Sequence, residues 1–592
     1  MPSPPLAPPN ATPIPPVALR WPVFAHRAWY IVINVAAFIA VMAVVYGVYA
    51  IGRTWLRPVT AAAQISQSPR ILPLYAFYSL VRLGIAYVLS LVFALAYGYI
   101  AARSRRAEVV MVPLLDVLQS IPVLSFLPGV MLAMVALFPR RQIGLELGSI
   151  LLIFTGQVWN IAFSFYSSLK TIPRDLKEVA RIYRFGGWQR FLELDLPFST
   201  IGLVWNSMMS VAGGWFFLMA CEMFVLGDRD FRLPGLGSFL QTAASNGDTR
   251  AILWGLAAMI AVIVLLDQLI WRPVIAWADK FKFEQVESSH KTRQSVLSLL
   301  GRASFVLRLY RLVAKPIVNW LIDRLAPGAR RAVGTVSFSA PGKQRRWIVI
   351  LAAALVGAGI IFGLYRICAE LSMLNRVDGV ILIRSAAATF VRVNLALLIG
   401  ALWTVPVGVA IGFSPRLARI AQPLAQIAAS VPATALFPVV LLFFVRLRNG
   451  MELAAMLLML LGTQWYILFN VIAGAMAIPT DLKEAAAIFQ FGSLDRWRRL
   501  ILPAIFPYLV TGLLTASGGA WNASIVAEYF HFQGRILETT GLGSTISRAS
   551  DHGRFDLLLA ATIVMATIVV LVNRLLWRRL YTLAATRFNL QT

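Results

Sequence analysis

Charge is scarce in this chain. Only 14% of its 592 residues are Asp, Glu, Lys or Arg, against roughly a quarter in a soluble domain. Acidic residues are the rarer sign, 26 against 54 Lys and Arg. Hydrophobic residues make up 59% and mean hydropathy is +0.74. A soluble fold cannot hide that much apolar surface, so the composition predicts a polytopic membrane protein. Two cysteines, Cys221 and Cys368, exclude a disulfide scaffold and a cysteine-based metal site. Four histidines, at 26, 290, 531 and 552, show no metal-ligand spacing, and no metal site or catalytic residue is expected. There is no Gly-x-x-x-x-Gly-Lys-Ser/Thr phosphate loop; Gly342-Lys343-Gln344 lacks the upstream glycine and the hydroxyl. No Ser/His/Asp or Cys/His set stands out. The chain is therefore read as a non-enzyme that cannot hydrolyse ATP itself.

What is present is apolar length. Cutting at charged residues leaves twelve runs, at 28–52, 83–102, 117–139, 147–169, 196–221 and 251–266, then at 347–365, 393–415, 420–445, 453–480, 500–527 and 557–573. A helical span needs about 20 residues, so twelve transmembrane helices are expected, six in each half. With the N-terminus inside, the cytoplasmic segments hold 36 Lys and Arg and the outer ones 16, or 21 against 16 without the central linker. The positive charge therefore places both termini in the cytoplasm. Residues 1–27 begin with a proline-rich stretch lacking a basic n-region, which reads as a disordered cytoplasmic tail and not a signal peptide. Residues 28–272 form a first unit, 273–346 a basic cytoplasmic linker, and 347–592 a second unit. Within the linker, 295–326 spaces Leu, Val and Ile among Arg and Lys, either as an amphipathic helix on the leaflet or as a plain helical spacer.

The halves are copies of one another. IPRDLKEVARIYRFGGWQRFLELDLP at 172–197 and IPTDLKEAAAIFQFGSLDRWRRLILP at 478–503 match at 14 of 26 positions with an offset of 306. The same offset pairs Trp159 with Trp465, Trp215 with Trp521, Glu222 with Glu528, and Gly235-Leu236-Gly237 with Gly541-Leu542-Gly543. Upstream the offset is 310, pairing Arg82 with Arg392, Pro113 with Pro423, Pro122 with Pro432 and Pro128 with Pro438. Because each copy has an even number of spans, the repeats are parallel, and a solute path on their common axis is the economical expectation.

Each repeated loop reads as a helix–turn–helix. Pro173 and Pro479 suit a first helical turn, with Asp175/Glu178 and Asp481/Glu484 near its positive dipole end. Gly186 and Gly492 are expected to stop that helix in a left-handed conformation, and Pro197 and Pro503 to begin the next span. Present twice, such a loop suits docking to two copies of a partner. An ordinary amphipathic loop is the competing reading for a single copy.

Glu178-x-Ala180, Gly186 and Leu196-Pro197, with Glu484-x-Ala486, Gly492 and Leu502-Pro503, resemble the EAA loop of ABC-importer permeases. With Ile121-Pro122, the Trp and Glu of the fifth span, and the Gly-Leu-Gly loop, the chain is similar to the nitrate/sulfonate/bicarbonate (taurine-like) branch over roughly 79–272 and 389–579. The resemblance implies an all-α, type I importer-like permease of the bacterial inner membrane, with two ABC ATPase subunits that bind ATP and Mg, and a periplasmic or lipoprotein solute-binding protein. Membrane lipid, and no nucleic acid, is the remaining partner. The loops imply ATPase coupling by Glu178, Ala180, Gly186, Pro197, Glu484, Ala486, Gly492 and Pro503, and uptake of a small anion. An ion-gradient carrier with two six-helix halves is the alternative, but it would need charges deep in the spans.

Few polar groups interrupt the runs. Arg82 and Arg392 lie level with Glu222 and Glu528, so an Arg–Glu pair is expected in each half, structural before ligand-binding. With Trp215 and Trp521, which follow Gly-Gly pairs and read first as packing, they are the candidate pathway or gate residues. Gln119, Ser120, Ser430, Asn160, Gln464, Asn206 and Asn522 either line a path or bond neighbouring helices.

Overall fold

The computed structural model describes residues 65–139, 142–226, 229–278, 365–444 and 446–587, with single positions at 281, 358, 361 and 362. The expected tail, the span at 28–52, the linker helix at 295–326 and nearly all of the span at 347–365 lie outside the described residues. Among those described, eight helices are long and apolar enough to cross a bilayer, four in each half. The all-α polytopic reading holds, with two short hairpins added.

In the first half, α1 (Leu72–Arg103) and α4 (Ile143–Thr171) pack lengthwise, and α6 (Gly187–Glu222) lies against α4. Between α1 and α4 run α2 (Arg105–Ser120) and α3 (Leu127–Leu137). The loop helix α5 (Arg174–Ile182) precedes α6. A hairpin, β1 (Val225–Leu226) with β2 (Arg229–Asp230), then α7 (Leu236–Asn246) and the spanning α8 (Thr249–Ile275) complete the unit. The second half repeats this order: α9 (Arg376–Phe413), α10 (Pro415–Ser430), α11 (Ala433–Phe444), α12 (Gly450–Met476), α13 (Thr480–Ile488), α14 (Ser493–Ala527), β3 (Tyr529–Phe532) with β4 (Arg535–Glu538), α15 (Leu542–Asp551) and α16 (Phe555–Ala584).

Three details differ from the sequence expectation. The apolar runs at 117–139 and 420–445 are broken. Ile121 (ψ 127°) and Val431 (ψ 118°) are extended, each followed by proline, and α10 and α11 meet at 84°. Proline clashes with a helical residue before it and has no N–H to give, so an apolar run containing Ile-Pro or Val-Pro bends there. Second, the short helices expected before Pro197 and Pro503, at Gly187–Arg190 and Ser493–Asp495, run on into the spans without a break. α6 and α14 run through the prolines, each with one π-helical stretch, at Phe191–Asp195 and Arg496–Ile501. The wider turn accommodates the ring and the missing donor. Third, Arg82 does not end its span: the helix continues back to Leu72, because this arginine is buried and donates four hydrogen bonds to protein groups.

The halves interlock. The Leu124 amide faces Asn522 Oδ1 at 3.5 Å, and Thr562 Oγ1 donates to the Ser125 carbonyl at 3.4 Å. On the hairpin side, Gln241 Nε2 donates to the His531 carbonyl (3.0 Å) and the Gln533 amide to the Ala244 carbonyl (3.1 Å), so β3 lies over α7 of the other half.

Candidate functional site: charge clusters, loops and inter-repeat cavities

The hairpin end of each half is built around a buried arginine. Arg82 Nη1 reaches Glu222 Oε1 at 2.7 Å, while Nε and Nη2 grip Glu146 at 2.5 and 2.7 Å. Glu222 also accepts from Ser79 Oγ (2.7 Å) and the Gly237 amide (2.8 Å), and Arg82 donates to the Pro234 carbonyl. The second half repeats the arrangement. Arg392 bonds Glu528 and, through Nη2, Glu452 at 2.6 Å, and Glu528 accepts from Thr389 Oγ1 and the Gly543 amide, both at 2.8 Å. The Arg–Glu partners named from sequence therefore meet, but each pair is a triad. Glu146 and Glu452 were missed because each stands just before the uncharged run in which its helix was recognised. The 306 offset relating them was the available signal. The triads are not equivalent: the side chain of Glu146 is 6% exposed and that of Glu452 50%.

The repeated Gly-Leu-Gly has a steric cause. A methyl group on Gly235 or Gly541 would overlap the carboxylate of Glu222 or Glu528. Both glycines have extended φ values (179° and 175°), so close approach and not backbone freedom selects them. The span's glutamate thus clamps the loop that opens α7 or α15.

At the opposite end, α5 and α13 present the coupling candidates. Glu178 and Glu484 are exposed, while Ala180 and Ala486 face inward and are buried. Pro173 and Pro479 occupy the N-cap, one residue outside the helix. Gly186 and Gly492 do not take the left-handed conformation. Arg184 (φ 51°) and Gln490 (φ 50°) do. Each closes its helix in a Schellman motif, the Phe185 amide bonding the Ala180 carbonyl and the Phe491 amide the Ala486 carbonyl. Gly186 and Gly492 are extended and cap the start of α6 and of the helical stretch that opens α14. Just before the left-handed Arg184 and Gln490, Ile182 and Ile488 are each 77% exposed, Tyr183 and Phe489 each 73%. Sequence reading missed these apolar tips.

Trp215 and Trp521 are almost wholly buried, and Gln464 is buried too. Trp215 nonetheless contributes to a cavity of about 190 Å³ between the halves, with Ser430 and Asn522. Gln119, Asn160 and Asn206 line another of about 360 Å³ in the first half. The side chain of Ser120 lies outside the described residues. On the hairpin side a cavity of about 420 Å³ opens between the halves, lined by Arg232, Gln241, His531, Tyr529 and Asp551. Burial, and then a hydrogen bond to Asp551, push the Tyr529 phenol above its ordinary range.

Two tandem helical units with interlocked ends, broken spans and inter-unit cavities define a polytopic permease built from parallel repeats. Residues 94–270 and 404–587 each match the family described as binding-protein-dependent transport system inner membrane component, and the chain belongs to it as a duplicated ABC permease. It is similar to the nitrate import permease of Leptolyngbya laminosa (29% identical, over 32% of this chain and 64% of that protein) and to the taurine transport permease of Escherichia coli K12 (30%, over 33% and 68%). A bicarbonate transport permease of Synechococcus elongatus is 27% identical over 32% of this chain and 64% of its own length. The chain thus spans less than two thirds of the nitrate and bicarbonate permeases that it matches.

Proposed function

We propose that this protein is the membrane-spanning subunit of an ATP-driven importer for a small anion of the nitrate, sulfonate or bicarbonate kind, with each half docking one ATPase subunit. The observation that carries the reading is the pair of loop ends. At repeat-related positions each holds a rigid Schellman-capped helix, an exposed acid and two uncovered apolar side chains. Exposed apolar tips of this size mark an interaction surface, and two alike surfaces suit two alike partners. An acid near the start of such a helix can bond a partner arginine, and the helix can pass on a rigid-body push. ATP and Mg then bind the partner ATPase. The loops lie in the cytoplasm of the inner membrane, and the hairpins face a solute-binding protein outside. The surplus of Lys and Arg on the loop side supports this orientation. Pro197 and Pro503, with their π-helical turns, join each loop to the span that lines the cavity between the halves.

The test is uptake and ATP hydrolysis in proteoliposomes containing the chain, its ATPase and its binding protein. Tyr183→Glu combined with Phe489→Glu is expected to release the ATPase and stop uptake, with the membrane subunit still folded. Unchanged copurification and uptake in that variant would overturn the docking assignment. Export, or uptake of neutral and cationic solutes alone, would overturn anion import.

A further inference from the structure

The first described span of each half ends against its loop, and the two halves make that contact with opposite chemistry. Arg103 is the last residue of α1, and Phe413, its counterpart at the 310 offset, is the last residue of α9. In the first half the span supplies the cation. Arg103 Nη2 donates to Asp195 Oδ2 at 2.7 Å, and Arg190 Nε lies 3.6 Å from Oδ1 of the same carboxylate. Asp195 is 1% exposed and sits in the π-helical stretch through which the loop enters α6. In the second half the span supplies a ring and the loop supplies the cations. Lys483 Nζ, on α13, stands 4.8 Å from the centre of the Phe413 ring, and the Arg496 guanidinium 5.7 Å.

The differences between the halves are matched. Where the first half pairs Arg103 with Asp195, the second has Phe413 and, at the counterpart of Asp195, the buried Ile501. One change without the other would be costly. An aspartate at 501 would be buried beside a ring, and an isoleucine at 195 would leave Arg103 without its acceptor. Breaking a buried ion pair on one side only is strongly destabilising. Arg190 and Arg496 occupy one repeat position and follow the change, the first facing the carboxylate and the second the ring. A charge-assisted hydrogen bond and a cation over an aromatic face are both directional attachments. Duplication has therefore kept an attachment at this point while exchanging the groups that make it.

We infer that Asp195 in the first half and Phe413 in the second are positioning residues, each fastening its loop to the end of the preceding span so that loop and spans turn as one body. The inference rests on the docking reading and adds to it the parts that carry a push beyond the loop. A loop held only by its two chain connections would absorb a push by swinging about them. Attachment at a third point, the end of α1 or α9, removes that freedom, as rigid-body motion of a unit requires. The attachments stand apart from the apolar tips at Tyr183 and Phe489, so they hold the loop without occupying the surface that it offers to a partner. Two unlike fastenings thus serve two loops that present alike surfaces.

The test compares amide exchange in α5 and α13 of the full chain in nanodiscs, without ATPase. Asp195→Ile should speed exchange in α5 about tenfold and leave α13 unchanged, and Phe413→Ala should do the opposite. Transplanting the other half's pairing is the critical step. Asp195→Ile with Arg103→Phe, and Phe413→Arg with Ile501→Asp, should each return exchange to within about threefold of the unsubstituted chain. In the complex with the ATPase, spin labels at 246 and 552, exposed counterparts at the hairpin end, report whether ATP with Mg moves the halves. That movement should vanish in Asp195→Ile while the ATPase still copurifies, and return when Arg103→Phe is added. Should Asp195→Ile fail to fold, Asp195→Asn, which removes the charge and keeps the shape, carries the same test. A residue that only stabilises the fold would speed exchange in both loops alike and gain nothing from the transplanted partner. Either result, or undiminished movement in the Asp195 variant, would overturn the inference. If no ATPase copurifies with the unsubstituted chain while the exchange contrasts hold, the docking reading falls and the fastening stands. Copurification and ATP-driven movement without those contrasts would do the reverse.

Discussion

Glu222 fills the space that a side chain on Gly235 would need. The carboxylate cannot swing away, because Arg82, Ser79 and the Gly237 amide all hold it. Gly235→Ala must therefore shift the loop or break the cluster. Overpacking of this kind costs about 1–3 kcal/mol. Gly541→Ala should behave alike against Glu528, whereas Gly186→Ala and Gly492→Ala, with open space around the added carbon, should be neutral. Thermal unfolding of the four purified variants checks the contrast, and equal midpoints would refute it.

The triads predict unequal costs for similar mutations. Arg82→Met strands two buried carboxylates, for which about 3–5 kcal/mol is expected. Adding Glu146→Gln and Glu222→Gln to Arg82→Met should recover part of the loss by removing the stranded charges. In the second half, Glu452 is half exposed, so Glu452→Gln should cost clearly less than Glu146→Gln. Unfolding midpoints of the single and combined variants decide this. A combined variant less stable than Arg82→Met would mean that the carboxylates contribute more than charge balance.

Much of this was legible in the sequence because duplication acts as an internal control: one offset tied Glu222 to Glu528 and Gly235 to Gly541 before any fold was known. The remainder was hidden for physical reasons. Cutting runs at charges assumes that charges lie at the ends of spans, so the helix of Arg82 was read short and Glu146 was left out. Hydropathy averages over a window and cannot register that Pro122 bends an apolar segment. The left-handed caps fall on Arg184 and Gln490, residues with no propensity for that conformation, while the conspicuous glycine two positions later is extended. The cavities depend on which helix faces meet across the halves, which no periodicity reports.

Those caps give a third prediction. A non-glycine residue in the left-handed region carries a penalty of about 1–2 kcal/mol. Arg184→Gly and Gln490→Gly should remove most of it and slow amide exchange across α5 and α13. Faster exchange in either helix would show that the side chain compensates for its backbone.

Orientation is checked by single cysteines at 184 and 490, both exposed at the loop tips, in a background lacking Cys221 and Cys368. With the loops in the cytoplasm, a membrane-impermeant maleimide should label neither site in intact cells and both after permeabilisation. Labelling from outside at either position would invert the proposed topology and, with it, the side from which ATP acts.

The acids of the proposed coupling loops test the link between hydrolysis and transport. Glu178 and Glu484 are exposed, so replacing both with alanine should change stability by no more than about 0.5 kcal/mol. If each carboxylate bonds a partner arginine, the double variant should lose transport-coupled ATP hydrolysis while the membrane subunit remains intact. The single variants need not be equal. Val179 lies beside the first acid and Ala485 beside the second, and Arg181 and Arg184 on the first loop are Ala487 and Gln490 on the second. Helix α5 and its cap are therefore more basic than α13 and its cap, and Glu178 is partly screened from a cationic partner by its own neighbours. Glu484→Ala should accordingly reduce coupling more than Glu178→Ala. Solute-stimulated ATP hydrolysis in the reconstituted complex is the measurement, and full stimulation in the double variant would show that the acids serve only the solubility of the loop.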